Sequence, residues 1–170
     1  MHVSTTLFAS TLVALSGFAS AQPMEVKLES PSAIIRIPDI EAFDLGAHPN
    51  RATQPTARLF GSKGTTTMSV LAPTSGPDTS PLQCASWLAG NVLSRFAPPL
   101  DSVQFVKARE NAFVLVFPLR IAGLEQLKAF VVTGNGKGHC VEVHISRLGA
   151  TEKERVEWLA GFRSVRVEAQ

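Results

Sequence analysis

The sequence contains no tyrosine, two tryptophans and two cysteines in 170 residues. It has no C-x-x-C pair and no H-x-x-x-H pair on a helix, the close spacings that mark zinc sites, so no metal and no cofactor are expected. The 16 Lys+Arg and 14 Asp+Glu nearly balance to a net charge of +2, and the basic residues are scattered. Without a basic stripe there is no nucleic-acid footprint, and without a basic amphipathic helix there is no membrane-surface element. Beyond residue 21 no long apolar run occurs, so no membrane insertion is expected of that part of the chain.

The long apolar run that is present lies at the start. Leu7 to Ala19 is relieved by Ser and Thr, and Ala19-Ser20-Ala21 forms a small-x-small cleavage site. This pattern predicts a secretory signal peptide over 1–21, too short to span a membrane. The region around the cleavage site has no cysteine to receive a lipid. The expected mature protein starts near Gln22, forms a single domain over 22–170, and is periplasmic or secreted. In an oxidising compartment an even cysteine count reads first as a disulfide, here Cys84 with Cys140. Closing the chain between those positions would stabilise the fold by roughly 3–4 kcal/mol in the chain-entropy description.

Periodicity then divides the chain. Gln22–Ser32 reads as a polar lead-in, Ala33–Ile37 as a strand ended by Pro38, and Asp39–Gly46 as one amphipathic turn. Thr56–Ser62 and Thr65–Ala72 form a hairpin about Lys63-Gly64. A helix is predicted over Pro81–Phe96, with Ser80 as N-cap and Pro81 at the first helical position. Leu82, Ala85, Leu88, Ala89, Val92, Leu93 and Phe96 make its apolar stripe, and Trp87 lies on the other side. Strands follow over Val103–Arg109, Ala112–Phe117 (closed by Pro118), Gln126–Thr133 and Cys140–Ser146. In the last of these Val141, Val143 and Ile145 alternate with Cys140, Glu142, His144 and Ser146. The lack of alternation in Ala112–Phe117 predicts burial on both faces. Thr151 to Glu154 matches a capping box opening a short helix with Val156, Leu159 and Ala160 inward. The expected class is α+β: an antiparallel sheet covered by two helices.

Ala112–Phe117, Ala129–Val132, Val141–Ser146 and Glu154–Val165 with Gly161-Phe162-Arg163-Ser164, together with Ile35-Arg36-Ile37-Pro38 near the start, give the chain a pattern that resembles the PsbP-like α/β family. The resemblance implies an α/β/α sandwich and a binding or accessory role, as in assembly factors, adaptors and chaperones. It transfers no residue role, because such a likeness concerns shape and not a site.

Two constellations invite chemistry. Cys84 near a helix N-terminus has the setting of a low-pKa thiol, and His139 or His144 would be its base; this order resembles exported cell-wall cysteine peptidases. Cys140, Glu142 and His144 share a strand face and are zinc-type ligands, but alternate strand positions stand about 7 Å apart, too far to converge without distortion. Gly134 to Gly138 joins two strands and reads as a hairpin turn, not a phosphate cradle. Trp87 and Trp158 lie off the expected core faces, and large aromatics so placed are enriched at partner surfaces. The sequence therefore predicts an exported, non-catalytic binding or accessory protein of the cell envelope. Its protein partner would engage Trp87 and Trp158, as for an assembly factor, an adaptor or a toxin-immunity protein. The alternative is a cell-wall hydrolase using Cys84.

Overall fold

The structure is a computed structural model that describes residues 23–29, 32–74, 79–108, 111–134 and 138–169. The expected leader, its junction at Gln22 and the Asn135-Gly136 turn lie outside these residues. The strands are β1 Pro23–Glu29, β2 Ser32–Glu41, β3 Gly46–Ala47, β4 Ala57–Lys63, β5 Thr66–Leu71, β6 Gln104–Lys107, β7 Ala112–Ile121, β8 Leu124–Gly134, β9 Cys140–Leu148 and β10 Arg166–Ala169. Two helices interrupt them, α1 Pro81–Phe96 and α2 Glu152–Phe162.

The strands form two antiparallel sheets, one ordered β1-β2-β10 and a seven-stranded one ordered β3-β4-β5-β9-β8-β7-β6. Their inner faces meet in the main core. Met24, Val26, Ile35 and Ile37 of the small sheet pack with Val114, Val131, Val143 and Ile145 of the large one. Only the opposite face of the large sheet carries a helix: Cys84, Ala85, Leu88 and Val92 of α1 lie on Leu115, Phe117, Phe130 and Val132. Helix α2 packs against β2 and sends Trp158 and Phe162 into the inter-sheet core.

This corrects the expected α+β class, in which an antiparallel sheet is covered by two helices as an α/β/α sandwich. The fold is sheet-dominated, and a second sheet stands where a covering helix was expected. The difference arises at the two ends. Pro23–Glu29 was expected to be a lead-in, but Met24, Val26 and Leu28 alternate inward while charged neighbours face out, which is the signature of a half-buried strand. The C-terminal tail adds β10 to the free side of β2.

Neither proline ends its strand. Pairing of β1 with β2 slips between Pro23 and Met24, so that Ile37 faces Met24 and Glu41 faces Pro23. Pro38 therefore sits inside a bulge, where a missing N–H is tolerated. Strand β6 covers β7 only as far as Val116, and Pro118 pairs with Leu127 where β7 has become an edge. The expected amphipathic turn over Asp39–Gly46 is absent: β2 runs on to Glu41 and an irregular stretch leads to β3, yet Phe43 and Leu45 still pack on the core. Gly61 is required there, since a Cβ would stand 2.4 Å from the Asp44 carbonyl oxygen.

Helix α1 forms where expected, with a fuller cap. The Ser80 hydroxyl accepts from the Gln83 N–H at 3.2 Å, and the Ser80 N–H donates to Gln83 Oε1 at 2.8 Å. Ala97, in a left-handed conformation, donates its N–H to the Leu93 carbonyl and closes the helix. Replacing Ser80 with Ala removes one half of the cap. It should cost about 1 kcal/mol, readable as a melting temperature lower by about 3 °C in thermal unfolding.

Candidate functional site

Helix α1 lies over β7 and β8 and leaves part of the large sheet's outer face uncovered. The result is a groove beside the helix. Its wall carries Trp87, Asn91 and Arg95, each four residues from the last and hence on one helix face. Ser69 and Leu71 of β5 with Glu142 and His144 of β9 line its floor, and the turns bearing His48, Asn50 and Gln54 line it opposite the helix. This hollow holds ≈ 320 Å³. A second hollow of ≈ 300 Å³, lined by Pro73, Thr74, Gln83 and the two cysteines, shares Trp87 with it. Trp87 stands between them, 54% exposed.

The Cys84–Cys140 disulfide is formed and joins the first turns of α1 to the start of β9. It fixes the helix relative to the strand that supplies the floor, and it consumes both sulfurs. Cys84 is therefore no nucleophile and Cys140 no thiolate ligand in this state. Of the expected bases, His139 pairs through its backbone with Thr74 at the strand's start, while the His144 ring stacks on Phe130 with centroids 4.3 Å apart. Among the described residues no three His, Cys, Asp or Glu side chains gather as a metal site.

The strand face expected to be half-exposed is so at Glu142 and His144, which are half-buried in the groove floor, and is closed off only at Cys140 and Ser146. Lys128 of β8 faces Ser146 and is only 6% exposed, and Ser146 is 4% exposed. The Lys128 ammonium donates to Ser146 Oγ at 3.1 Å, lies 3.4 Å from His144 Nε2, and sits 4.9 Å from the centre of the Phe96 ring. Ser146 Oγ in turn is 3.0 Å from His144 Nε2, which places the imidazole proton on Nδ1 and leaves Nε2 to accept. A serine beside a lysine has the parts of a nucleophile and its base, but burial closes this hydroxyl to a substrate. The group holds a buried cation by hydrogen bonds and an aromatic face.

Burial tunes the floor. It pushes the Glu142 carboxyl up to about 7 against the pull of Arg95, and the His144 imidazole down to about 3, with Lys128 and Arg95 adding repulsion. Lys128 is lowered by burial first and by Arg95 second. Near neutrality the imidazole is uncharged and Glu142 is partly protonated, so Arg95 is the exposed charge of the groove.

The two tryptophans part company. Trp87 is exposed as expected, whereas Trp158 is 5% exposed and packs edge-on to Phe162 with centroids 5.6 Å apart. Trp158 is thus a core residue rather than a partner contact. Val156, expected inside, is exposed. Sequence reasoning overlooked Arg95, Asn91 and His48, although the polar spacing 83, 87, 91, 95 is visible along α1.

No family model and no curated protein matches the chain. Among solved structures it is similar to a Bacteroides thetaiotaomicron protein, at 11% identity and a TM-score of 0.50. The likeness covers 88% of this chain and 49% of that one, so the chain spans about half the neighbour's length. At that identity it is a likeness of fold alone. A disulfide is compatible with an exported protein, and among the described residues no helix is long and apolar enough to cross a membrane.

Proposed function

We propose that this chain is an exported binding protein of the cell envelope, periplasmic or secreted. It acts without catalysis and engages a protein partner through the groove along α1. The observation that carries this reading is Trp87: a large aromatic held exposed between two hollows, on a helix pinned by a disulfide. Exposed tryptophans ringed by polar groups concentrate binding energy. The groove favours none of the assembly-factor, adaptor and immunity roles over the others.

Site-specific photo-crosslinking in the producing cells tests the proposal. A photoreactive phenylalanine at position 87 should yield a discrete protein adduct, while the same group at Lys153, on the exposed face of α2, should not. Equal labelling at both positions, or none at 87, would refute it. Once the adduct is identified, Trp87→Ala should weaken its binding by about 30-fold, the loss typical of a central aromatic contact. Stability should stay within about 0.5 kcal/mol, because the side chain is exposed.

A further inference from the structure

Resting on that reading, we infer that the groove takes an extended peptide segment of the partner, laid along α1 with a carboxylate of the segment against Arg95. The argument begins with spacing. Residues four apart on a helix repeat every ~6 Å along its axis. Alternate residues of an extended peptide repeat every ~6.6 Å. Gln83, Trp87, Asn91 and Arg95 follow the helical repeat, so successive side chains of α1 meet successive like-facing residues of a strand-shaped ligand.

Hydrogen bonding points the same way. The backbones of β5 and β9 are paired to neighbouring strands along the floor, leaving no free sheet edge for a ligand main chain. Peptide groups buried in the groove must then be met by side chains that both donate and accept. Asn91 on the helix side and Asn50 and Gln54 on the other have that chemistry. The Gln83 oxygen is already engaged by the Ser80 N–H, which leaves its –NH₂ as a donor. The two hollows flanking Trp87 suit two side chains that point the same way along the segment.

Charge sets the direction. Among the described residues no carboxylate lies within ion-pair distance of Arg95, and its nearest aromatic contact, to Phe96 at 5.3 Å, leaves the guanidinium fork free for a bidentate acid. Buried Lys128 adds positive potential behind it, while Glu142, the groove's own carboxyl, feels Arg95 but makes no ion pair with it and is kept partly protonated by burial near neutrality. An aspartate, a glutamate or a free C-terminus of the partner supplies the missing charge.

The test uses the disulfide-intact chain and a displayed library of random linear dodecapeptides. Selected sequences should carry Asp, Glu or a free C-terminus at a fixed distance from a bulky apolar residue. A synthetic peptide of that sequence should change the emission of Trp87, and the change should vanish in Trp87→Phe, which retains Trp158. Arg95→Glu should weaken that peptide by about 30-fold. Reselection on that variant should replace the acid with Lys or Arg. Arg95→Gln should weaken the same peptide and serves in its place should the charge reversal lower the melting temperature. Selection without an acidic preference, or equal binding by the Arg95 variants, would overturn the inference. So would a Trp87 emission change with N-acetylglucosamine tetramer and none with any peptide, which would make this a saccharide groove. The crosslink at position 87 separates the two claims. If it forms while the peptide arm fails, the ligand class is wrong and the binding role stands; if neither succeeds, both fall.

Discussion

Replacing Cys84 and Cys140 together with Ala should lower stability by roughly 3–4 kcal/mol, and the melting temperature by about 10 °C. The two cysteines are 56 positions apart, so the bridge removes the closure entropy of a long loop from the unfolded ensemble. Both lie buried in the layer between α1 and the sheet, where Ala leaves a small void that adds to the loss. The effect should also be local. Helix α1 is held to the sheet by Leu88 and Val92 toward its middle and by the disulfide at its beginning. Without the bridge, amides of the first two turns should exchange faster than those around Val92. Urea unfolding of the wild type, the reduced protein and the double variant measures the first effect, and hydrogen exchange the second. A double variant that melts within 2 °C of the wild type would show that the bridge adds nothing to a helix already fixed by packing. The same loosening should reach function, since the wall of the groove is α1 itself.

Helix α1 was readable from its sequence because its determinants are local: Ser80 and Pro81 set its start, and one apolar stripe gives its face. Strand β9 was readable for the same reason, its alternation being complete over seven residues. What local pattern cannot supply is the partner for each face. The Cys140, Glu142, His144 and Ser146 row reads as a half-exposed surface, as it is at Glu142 and His144. It becomes the floor of a groove only because Lys128 and Phe130 lie beside it on β8 and α1 lies above. The buried face of α2 differs from the expected one in a way that size explains. Val156, Leu159 and Ala160 make a stripe in the sequence, but turning Trp158 and Phe162 inward hides far more apolar surface, about 150–250 Å² for each ring. The larger burial wins, and it takes Trp158 away from any partner. Met24, Val26 and Leu28 alternate plainly in the sequence, yet they acquire a role only when β2 and β10 complete a sheet that can cover the other. That long-range pairing decides between a second sheet and a second covering helix.

Stability should be nearly flat between pH 4.5 and 6.5 so far as the groove floor is concerned, and Glu142 and His144 should each account for one edge of that plateau. The folded protein holds Glu142 at about 7 against an ordinary value of 4.5, so it favours the protonated acid more than the unfolded chain does. That contribution is complete below 4.5 and is lost as pH rises to about 7. His144 runs the opposite way: held at about 3 against an ordinary 6.5, it contributes fully above 6.5, and the contribution is lost as pH falls toward 3. In the shared window the slopes oppose each other and cancel. The surroundings support both signs. Arg95 on α1, Lys128 on β8 and His48 across the groove bring no carboxylate to His144, and Glu142, its neighbour on the same face of β9, is already protonated at the acid pH where the imidazole would take its proton, which would cost Nε2 its role as acceptor. The shifts correspond to about 3 kcal/mol for Glu142 and about 5 kcal/mol for His144 if the groove stays as dry as its burial implies, and less where water enters. Urea unfolding at pH 3.5, 5.5 and 7.5 separates the two. Glu142→Gln should remove the decline between pH 5.5 and 7.5. His144→Gln keeps an acceptor for Ser146 without a titrating ring, so it should remove the decline between 5.5 and 3.5. If His144→Gln and the wild type lose stability in parallel on the acid side, the imidazole is not buried neutral, and the hydrogen-bonded group formed by Lys128, Ser146 and His144 is wrongly assigned.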